Sequence, residues 1–437
     1  MRKIIFTIIL LYSASSLSQE IKSLLTLDEA VKYAIENSPV LNIEKMKLEQ
    51  ANIKVIESQL GFIPNIYLSG DFRRNLIIPE TPVPANVFDP TVQNDELMYL
   101  KFNTKWNTSA GININYDLFN PEKINRVAEQ KHQLKIQEYD AQITEDDLRE
   151  KIALAYAECV IANEQKLLLI GDTAFYTALL NNSNQLFLKE KISLVEKNNS
   201  QKAYNESIID LLEAEKIAND RKAELLYLIG MEVTLQNIES LSLQEDIETL
   251  LKKMEHNSLP SFDIEKARQQ EVVDLAQLRI KTASLKYAPT LTLNGYYGSN
   301  YYKNDLTLFN NNFWRGNSYV GLSIKVPITQ SLSTSKEVSR LRLQKLMESE
   351  NLRDLQNIRN KDRLNDLSQL QVRKENHRLN HQNWEMSRQN SQAAQVQFDK
   401  GYIKQSDLLN EIQKMKQNRQ LFLQSAYDLF NSLITMK

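Results

Sequence analysis

A single cysteine, Cys159, stands in 437 residues, so no intrachain disulfide can staple this chain. It reads as a small buried side chain on a helix. Glycine and proline number ten each, well below the roughly 7% and 5% usual in globular chains, and so few a number of breakers points to long helices. No apolar run is long enough for a transmembrane helix. Net charge is −2 with acids and bases interspersed, which leaves no basic field to hold nucleic acid. Histidines number four, without a His-Glu-x-x-His motif, a phosphate-cradling glycine loop or a nucleophile elbow. No catalytic residue, cofactor or metal site is therefore expected, and the chain does not read as an enzyme. His377, His381 and Glu385 are spaced i, i+4, i+8 and could align as metal ligands, but a solvated helix face explains them with less.

What is present is said nearly twice. Ala51, Val55, Leu60, Pro64, Ile66, Leu68 and Gly70 return 225 positions later as Ala276, Ile280, Leu285, Pro289, Leu291, Leu293 and Gly295. Gly111, Ile112, Ile114, Tyr116 and Leu118 return 210 positions later as Gly321, Leu322, Ile324, Val326 and Ile328. Phe187, Ile192 and Glu196 return 211 positions on as Phe398, Ile403 and Asp407. A duplicated unit builds one architecture.

Residues 1–18 read as an export leader. Arg2 and Lys3 precede an apolar run from Ile4 to Tyr12, and Ser16-Leu17-Ser18 supplies small residues at a cleavage site. The first repeat is expected over 19–230, with a strand pair at about 64–120 and a long helical hairpin at about 122–230. An equatorial segment, 231–260, has no counterpart in the other copy. The second repeat, 261–437, holds a helix, a strand pair at about 289–330 and a hairpin at about 333–435.

Thr26 followed by Glu29 has the spacing of a capping box, which predicts a helix to about Asn37; a second, about 40–62, ends at Pro64. The period then changes to two: Ile66, Leu68, Gly70 and Phe72 share one face, Asn65, Tyr67, Ser69, Asp71 and Arg73 the other. Ile112, Ile114 and Tyr116 likewise oppose Asn113, Asn115 and Asp117. In the second copy Leu291 and Leu293 oppose Thr290, Thr292 and Asn294, while Leu322, Ile324 and Val326 oppose Ser323 and Lys325. Each run is expected to span about nine to eleven residues, the length of a tilted membrane strand. Pro79, Pro82, Pro84 and Pro90 sit in the long first loop. Beyond the strands, Val127, Leu134, Ala141, Leu148, Ala155, Ala162 and Leu169 recur every seventh residue, a coiled-coil seam. Leu408, Met415, Phe422 and Leu429 form another, whose second row is broken by Arg419. The stretch from about 333 to 398 is helical by composition more than by period.

Strands apolar on one face and polar on the other suit a water-filled membrane barrel, but a half-buried sheet in a soluble protein alternates in the same way. Tyr99, Phe102, Trp106, Tyr301, Tyr302, Phe313, Trp314 and Tyr319 gather near the loop ends as interfacial girdles do. Four strands cannot close, since the smallest such barrels have about eight, and an open edge in lipid leaves backbone groups unpaired. Two chains would give a filled barrel; three would give twelve strands, wide enough to conduct. The alternative is a soluble periplasmic coiled-coil scaffold whose sheets only join helices.

Leu27-Asp28-Glu29-Ala30 with Ala34, Asn37 and Pro39, the corner prolines Pro64 and Pro289, and the run Phe398-x-x-Gly401-x-Ile403-x-x-x-Asp407-Leu408-Leu409 resemble the TolC-like outer-membrane efflux and secretion channels. The resemblance covers essentially the whole mature chain. It implies an α+β membrane protein: a homotrimer whose twelve-stranded β-barrel in the outer-membrane lipid continues into a periplasmic α-helical coiled-coil barrel. It further implies a periplasmic adaptor and, through it, an inner-membrane transporter. In its light Pro64 and Pro289 are helix-to-strand turns, and Gly401 and its counterpart Glu190 mark the adaptor-docking turns. Because glycine tolerates positive φ and glutamate does not, a strained or differently shaped first turn is expected. Asp407 and Glu196 are implied gate acids, braced by Phe187 and Phe398. Six such carboxylates around one axis would repel one another and attract cations. The second acid that members often carry is replaced here by Asn410, with Glu411 after it.

Overall fold

The computed structural model describes residues 25–88, 97–256 and 262–435; the expected leader and Pro90 lie outside them. Its helices and strands run α1 (Leu27–Asn37), α2 (Pro39–Leu60), β1 (Asn65–Arg74), β2 (Thr81–Pro84), β3 (Leu97–Leu100), β4 (Trp106–Phe119), α3 (Pro121–Leu188), α4 (Leu194–Ile229), α5 (Leu235–Ser240), α6 (Ile247–His256), α7 (Phe262–Leu285), β5 (Thr290–Lys303), β6 (Trp314–Lys325), α8 (Gln330–Asp399) and α9 (Gln405–Thr435). They divide into two units. A helical unit takes the residues up to Lys47, Glu138–Ala267 and those from Arg353; a strand-bearing unit takes Leu48–Gln137 and Arg268–Leu352. Among the described residues no helix is long and apolar enough to cross a membrane.

In the helical unit α1 opens on the expected capping box: Glu29 N–H donates to Thr26 Oγ1 at 3.2 Å and Thr26 N–H to Glu29 Oε2 at 3.1 Å. The 68 residues of α3 make a continuous helix of about 100 Å. Its heptad row is buried from Leu148 through Ala155, Ala162 and Leu169, and continues in phase to Tyr176 and Ser183, both buried. On α4 the same spacing places Ser200, Ser207 and Ala214 inside, and such small residues let helix backbones approach closely. The core gathers Ile152, Leu225, Leu226, Ala426 and Phe430 with Leu241, Ile247 and Leu250 of the equatorial segment. That segment is tied in by Leu25, which pairs with Leu243 and donates to Ser242 O at 2.9 Å. Tyr156, wholly buried, donates to Leu25 O at 2.8 Å and also meets Glu245. Cys159 is buried here, and burial pushes its thiol up to about 12. Residues 330–399, weak in period, form one unbroken helix, α8.

The strand-bearing unit turns helix into strand twice by the same means. After α2, Phe62 N–H donates to Gln59 O and Ile63 N–H to Leu60 O; 225 residues later Tyr287 and Ala288 repeat this with Ser284 O and Leu285 O. Pro64 and Pro289 follow, lacking an N–H to continue the helix, and β1 and β5 start at the next residue. The four strands form one antiparallel sheet in the order β1-β4-β5-β6. At 10, 14, 14 and 12 residues three of them exceed the expected length. The side-chain alternation lapses at Ser109–Gly111 and Gly298–Asn300, but backbone pairing continues through both stretches.

Register carries each face across the whole sheet. Leu68 opposes Ile112, which opposes Tyr297; Leu293 opposes Leu322 and Leu291 opposes Ile324. Ile66, Leu68, Ile112, Ile114, Val320, Leu322 and Ile324 are all exposed, Leu68 at 80%. On the other face Asn113 Nδ2 donates to Ser69 Oγ at 2.6 Å and Asn294 Nδ2 to Ser323 Oγ at 2.8 Å. Tyr319 lies on this polar face, stacked on Tyr296 at 5.9 Å, rather than in the aromatic group at the loop ends, because it pairs with Tyr296 in mid-strand. Tyr296 in turn spreads over Gly111, where a Cβ would stand 2.7 Å from its ring. The proline-bearing loop folds into a ribbon, β2 against β3, pairing Pro82 with Tyr99 and Val83 with Met98. A two-stranded ribbon tolerates proline because its outer edge has no ladder to satisfy.

Candidate functional site

Helix α3 ends by turning into α4, and α8 by turning into α9. At the first turn Glu190 N–H donates to Phe187 O at 2.9 Å and Lys191 N–H to Leu186 O at 2.9 Å; at the second, Gly401 N–H donates to Phe398 O at 2.8 Å and Tyr402 N–H to Gln397 O at 2.9 Å. This is one Schellman stop used twice. It requires a left-handed residue after the helix, and both supply one: Glu190 at φ 57° and Gly401 at φ 76°. The first turn is therefore not differently shaped. It is the same turn held under strain, and Glu190 is the sole non-glycine with positive φ among the described residues.

The two acids open the following helices. Ser193 caps α4, with Glu196 N–H donating to Ser193 Oγ at 3.2 Å and Ser193 N–H donating to Glu196 Oε2 at 2.8 Å. Asp407 occupies the matching position of α9, accepting from Lys404 N–H at 3.2 Å. Both carboxylates thus sit over helix N-termini, where backbone donors and the helix dipole favour negative charge. Ser193 N–H and hydroxyl, with Lys404 nearby, hold the Glu196 carboxyl below the usual range. Within one chain this runs opposite to the rise that mutual repulsion of clustered acids would cause.

The turns are joined just above the caps. Ser183 of α3 and Ser200 of α4 share a 2.7 Å hydrogen bond, and Gln405 of α9 donates to the Ser200 hydroxyl; all three are buried. Farther from the turns lies a small apolar cluster of Tyr176, Leu179, Ala394, Leu408 and Ile412, against which Phe398 packs, half-buried. Phe187 instead carries the Lys197 ammonium 5.0 Å above its ring. The two phenylalanines, equivalent by sequence, are thus used differently.

Arg419, the break in the α9 seam, is 4% exposed and donates to Asp172 of α3 at 2.7 Å. One turn away Lys416 reaches Asp210 at 3.3 Å and lies 5.0 Å over the ring of Tyr176. Burial, with Asp172 and Asp210 nearby, pushes the Tyr176 hydroxyl up to about 12. Neither the serine–glutamine cluster nor the ion pair was foreseen. The signal for the first was present in the heptad phase that carries Leu169 through Tyr176 to Ser183. His377 and His381 are taken up by an aromatic stack, at 5.3 and 5.1 Å from Phe422, with Trp384 at 4.8 Å on the same ring.

Comparison of the fold with solved structures gives outer-membrane proteins among the similar molecules. The Campylobacter jejuni CmeC outer membrane channel is matched at 17% identity and TM-score 0.73, over 93% of this chain and 84% of that one. The outer membrane protein VceC of Vibrio cholerae is matched at 15% and 0.70, over 94% and 95%. The open state of the Neisseria gonorrhoeae MtrE outer membrane channel is matched at 12% and 0.67, over 94% and 89%. No protein-family model and no curated protein matches the chain by sequence. The fold is that of the TolC-like outer-membrane channels.

Proposed function

We propose that a chain with this fold works as a passive exit duct in the outer membrane, extending into the periplasm, for a tripartite efflux pump or a type I secretion system. The observation that carries the reading is the sheet: exposed aliphatic side chains of β1, β4 and β6 on one face, a hydrogen-bonded polar face, and two long strands, β1 and β6, each paired on one side only among the described residues. Lipid suits the apolar face and water the polar one. Edges left in lipid would leave backbone donors and acceptors unpaired, so β1 of one copy pairs with β6 of the next, and three copies close twelve strands around a conducting lumen. The periplasmic scaffold alternative gives no reason for Ile66, Leu68, Ile112, Ile114, Val320, Leu322 and Ile324 to stand bare on one face.

In this assembly the turns at Glu190 and Gly401 receive the periplasmic adaptor, which links the duct to an inner-membrane transporter. Glu196 and Asp407 of three chains form a cation-attracting ring at the entrance, with Phe187 and Phe398 supporting it. Energy comes from the transporter, and the duct itself performs no chemistry. The test is cell fractionation followed by electrophoresis with and without heating. A trimer that dissociates only on heating, found with the outer membrane, is expected; a monomer among soluble periplasmic contents would overturn the reading.

A further inference from the structure

The exposed apolar face ends, at the loop side of the sheet, in charge. Arg74 is the last residue of β1 and shares the face of Ile66, Leu68 and Phe72. Its guanidinium lies 5.4 Å from the Trp106 ring, and Phe72 packs on the same ring at 5.1 Å. Lys303 pairs with Trp106 from β5, so a cation, a tryptophan and a cation stand in one row across three strands. Beside this row opens a cleft of about 590 Å³ lined by Arg74, Lys101, Lys105, Leu76, Ile77 and Glu80. Its mouth is fixed: Asn75 N–H donates to Lys105 O and Asn75 Nδ2 to Thr104 O, each at 2.8 Å.

The charges in the cleft do not balance. Lys101 pairs with Glu80 at 3.2 Å, but Arg74 and Lys105 have no carboxylate within ion-pair distance among the described residues. Leu76 and Ile77 next to them are each 88% exposed. Two cations with no carboxylate partner among the described residues, beside two bare aliphatic side chains at the level where a lipid-facing surface stops, match a ligand with an anionic head and an alkyl body. A free phosphate would leave the aliphatic pair unexplained.

We propose that this cleft binds the phosphorylated headgroup of an outer-leaflet lipid, with Arg74 and Lys105 on the phosphate and Leu76 and Ile77 against the first methylenes. The site rests on the reading of the sheet as inserted in the outer membrane. Arginine grips phosphate through two parallel N–H donors, and basic residues at a membrane surface recognise anionic lipid heads.

The experiment titrates the full-length protein, purified in a neutral detergent, with lipid A, a diphosphorylated glycolipid, and with the same lipid after enzymatic removal of its phosphates. Lipid retained after gel filtration is read by native mass spectrometry. Saturable retention of the phosphorylated lipid is expected, weakened roughly tenfold or more in an Arg74→Gln, Lys105→Gln double variant. A Leu76→Ser, Ile77→Ser variant should bind more weakly while still preferring the phosphorylated lipid. Equal retention of both lipids, equal retention by the charge variant, or displacement by equimolar inorganic pyrophosphate would each overturn the proposal. Heat-modifiable trimers run alongside show that the variants fold. Outer-membrane trimers that bind lipid independently of these residues would defeat this site alone, whereas a soluble wild-type protein would remove the membrane reading and the site with it.

Discussion

Glu190 and Gly401, 211 residues apart, hold the same left-handed backbone and the same pair of helix-closing hydrogen bonds, yet only one of them is suited to it. A Cβ placed on Gly401 would meet nothing within 4 Å, so conformation alone separates the two residues. Glu190→Gly is expected to stabilise the helical unit by about 1 kcal/mol, and Gly401→Ala to cost about the same. Thermal unfolding followed by circular dichroism checks both. Effects of equal sign would mean the two turns are not energetically equivalent.

The caps and the proposed ring of charge can be separated by isosteric change. Asp407→Asn with Glu196→Gln keeps an oxygen to accept from the cap N–H and removes the charge. Block by multivalent cations in planar bilayers should weaken or single-channel conductance should rise, with melting little altered. Asp407→Ala also removes the acceptor for the Lys404 N–H and the first-turn negative charge, and is expected to lower stability by about 0.3–1 kcal/mol. Conductance and block unchanged in both variants would leave these acids as caps only.

The pH response of the first turn has a definite sign. Ser193 holds the Glu196 carboxyl below its ordinary value, so the bond contributes stability that is fully present above the unfolded value, about 4.3, and is lost as pH falls through the lower folded value. Wild type and Glu196→Gln should differ in amide-exchange protection at 193–197 at neutral pH and converge in acid. A gap that widens on acidification would reverse the assignment.

Asp172 and Arg419 are both largely buried. Removing one partner strands a charge in the helical unit, and Asp172→Ala is expected to cost about 3–5 kcal/mol; replacing the pair by Leu and Met should come near neutral. Denaturant titration of the single and double variants decides it. Additive losses would show that the pairing itself contributes nothing.

On the polar face of the sheet Gly111 and Gly298 fail for different reasons. The nearest atoms to a Cβ at Gly111 all belong to the Tyr296 side chain, whereas one at Gly298 also stands 2.5 Å from the Ala110 carbonyl oxygen. Gly111→Ala should lower the yield of assembled protein and be rescued by Tyr296→Ser. Gly298→Ala should not be rescued, because backbone cannot swing aside. Rescue of both by the same change would point to the tyrosine alone.

Long helices, corner prolines and strand faces were legible because each rests on a local rule: few breakers, a missing N–H, a period of two. The Thr26 cap announces itself by Glu29 three residues on. What escaped depends on partners distant in sequence. Arg419 looks like a flaw in a heptad until Asp172, 247 positions away, stands opposite it, and Gln405 looks solvated until Ser200 meets it. The β2–β3 ribbon was hidden because Pro82 and Pro84 argue against strand in any local reading. Glu190 is the instructive case: its side chain disfavours the turn, and the two helices it joins impose it.

Among the described residues, strands β1 and β6 each keep one flank of backbone donors and acceptors without a ladder. A solitary copy of this chain would therefore find no acceptable home in a bilayer, and in water the same flanks would recruit whatever strand came near. If copies close the barrel as proposed, entry into the membrane and union with sister copies would be a single event. On that reading the concentration of chains reaching the membrane, rather than the stability of any one of them, would set how fast closed barrels accumulate.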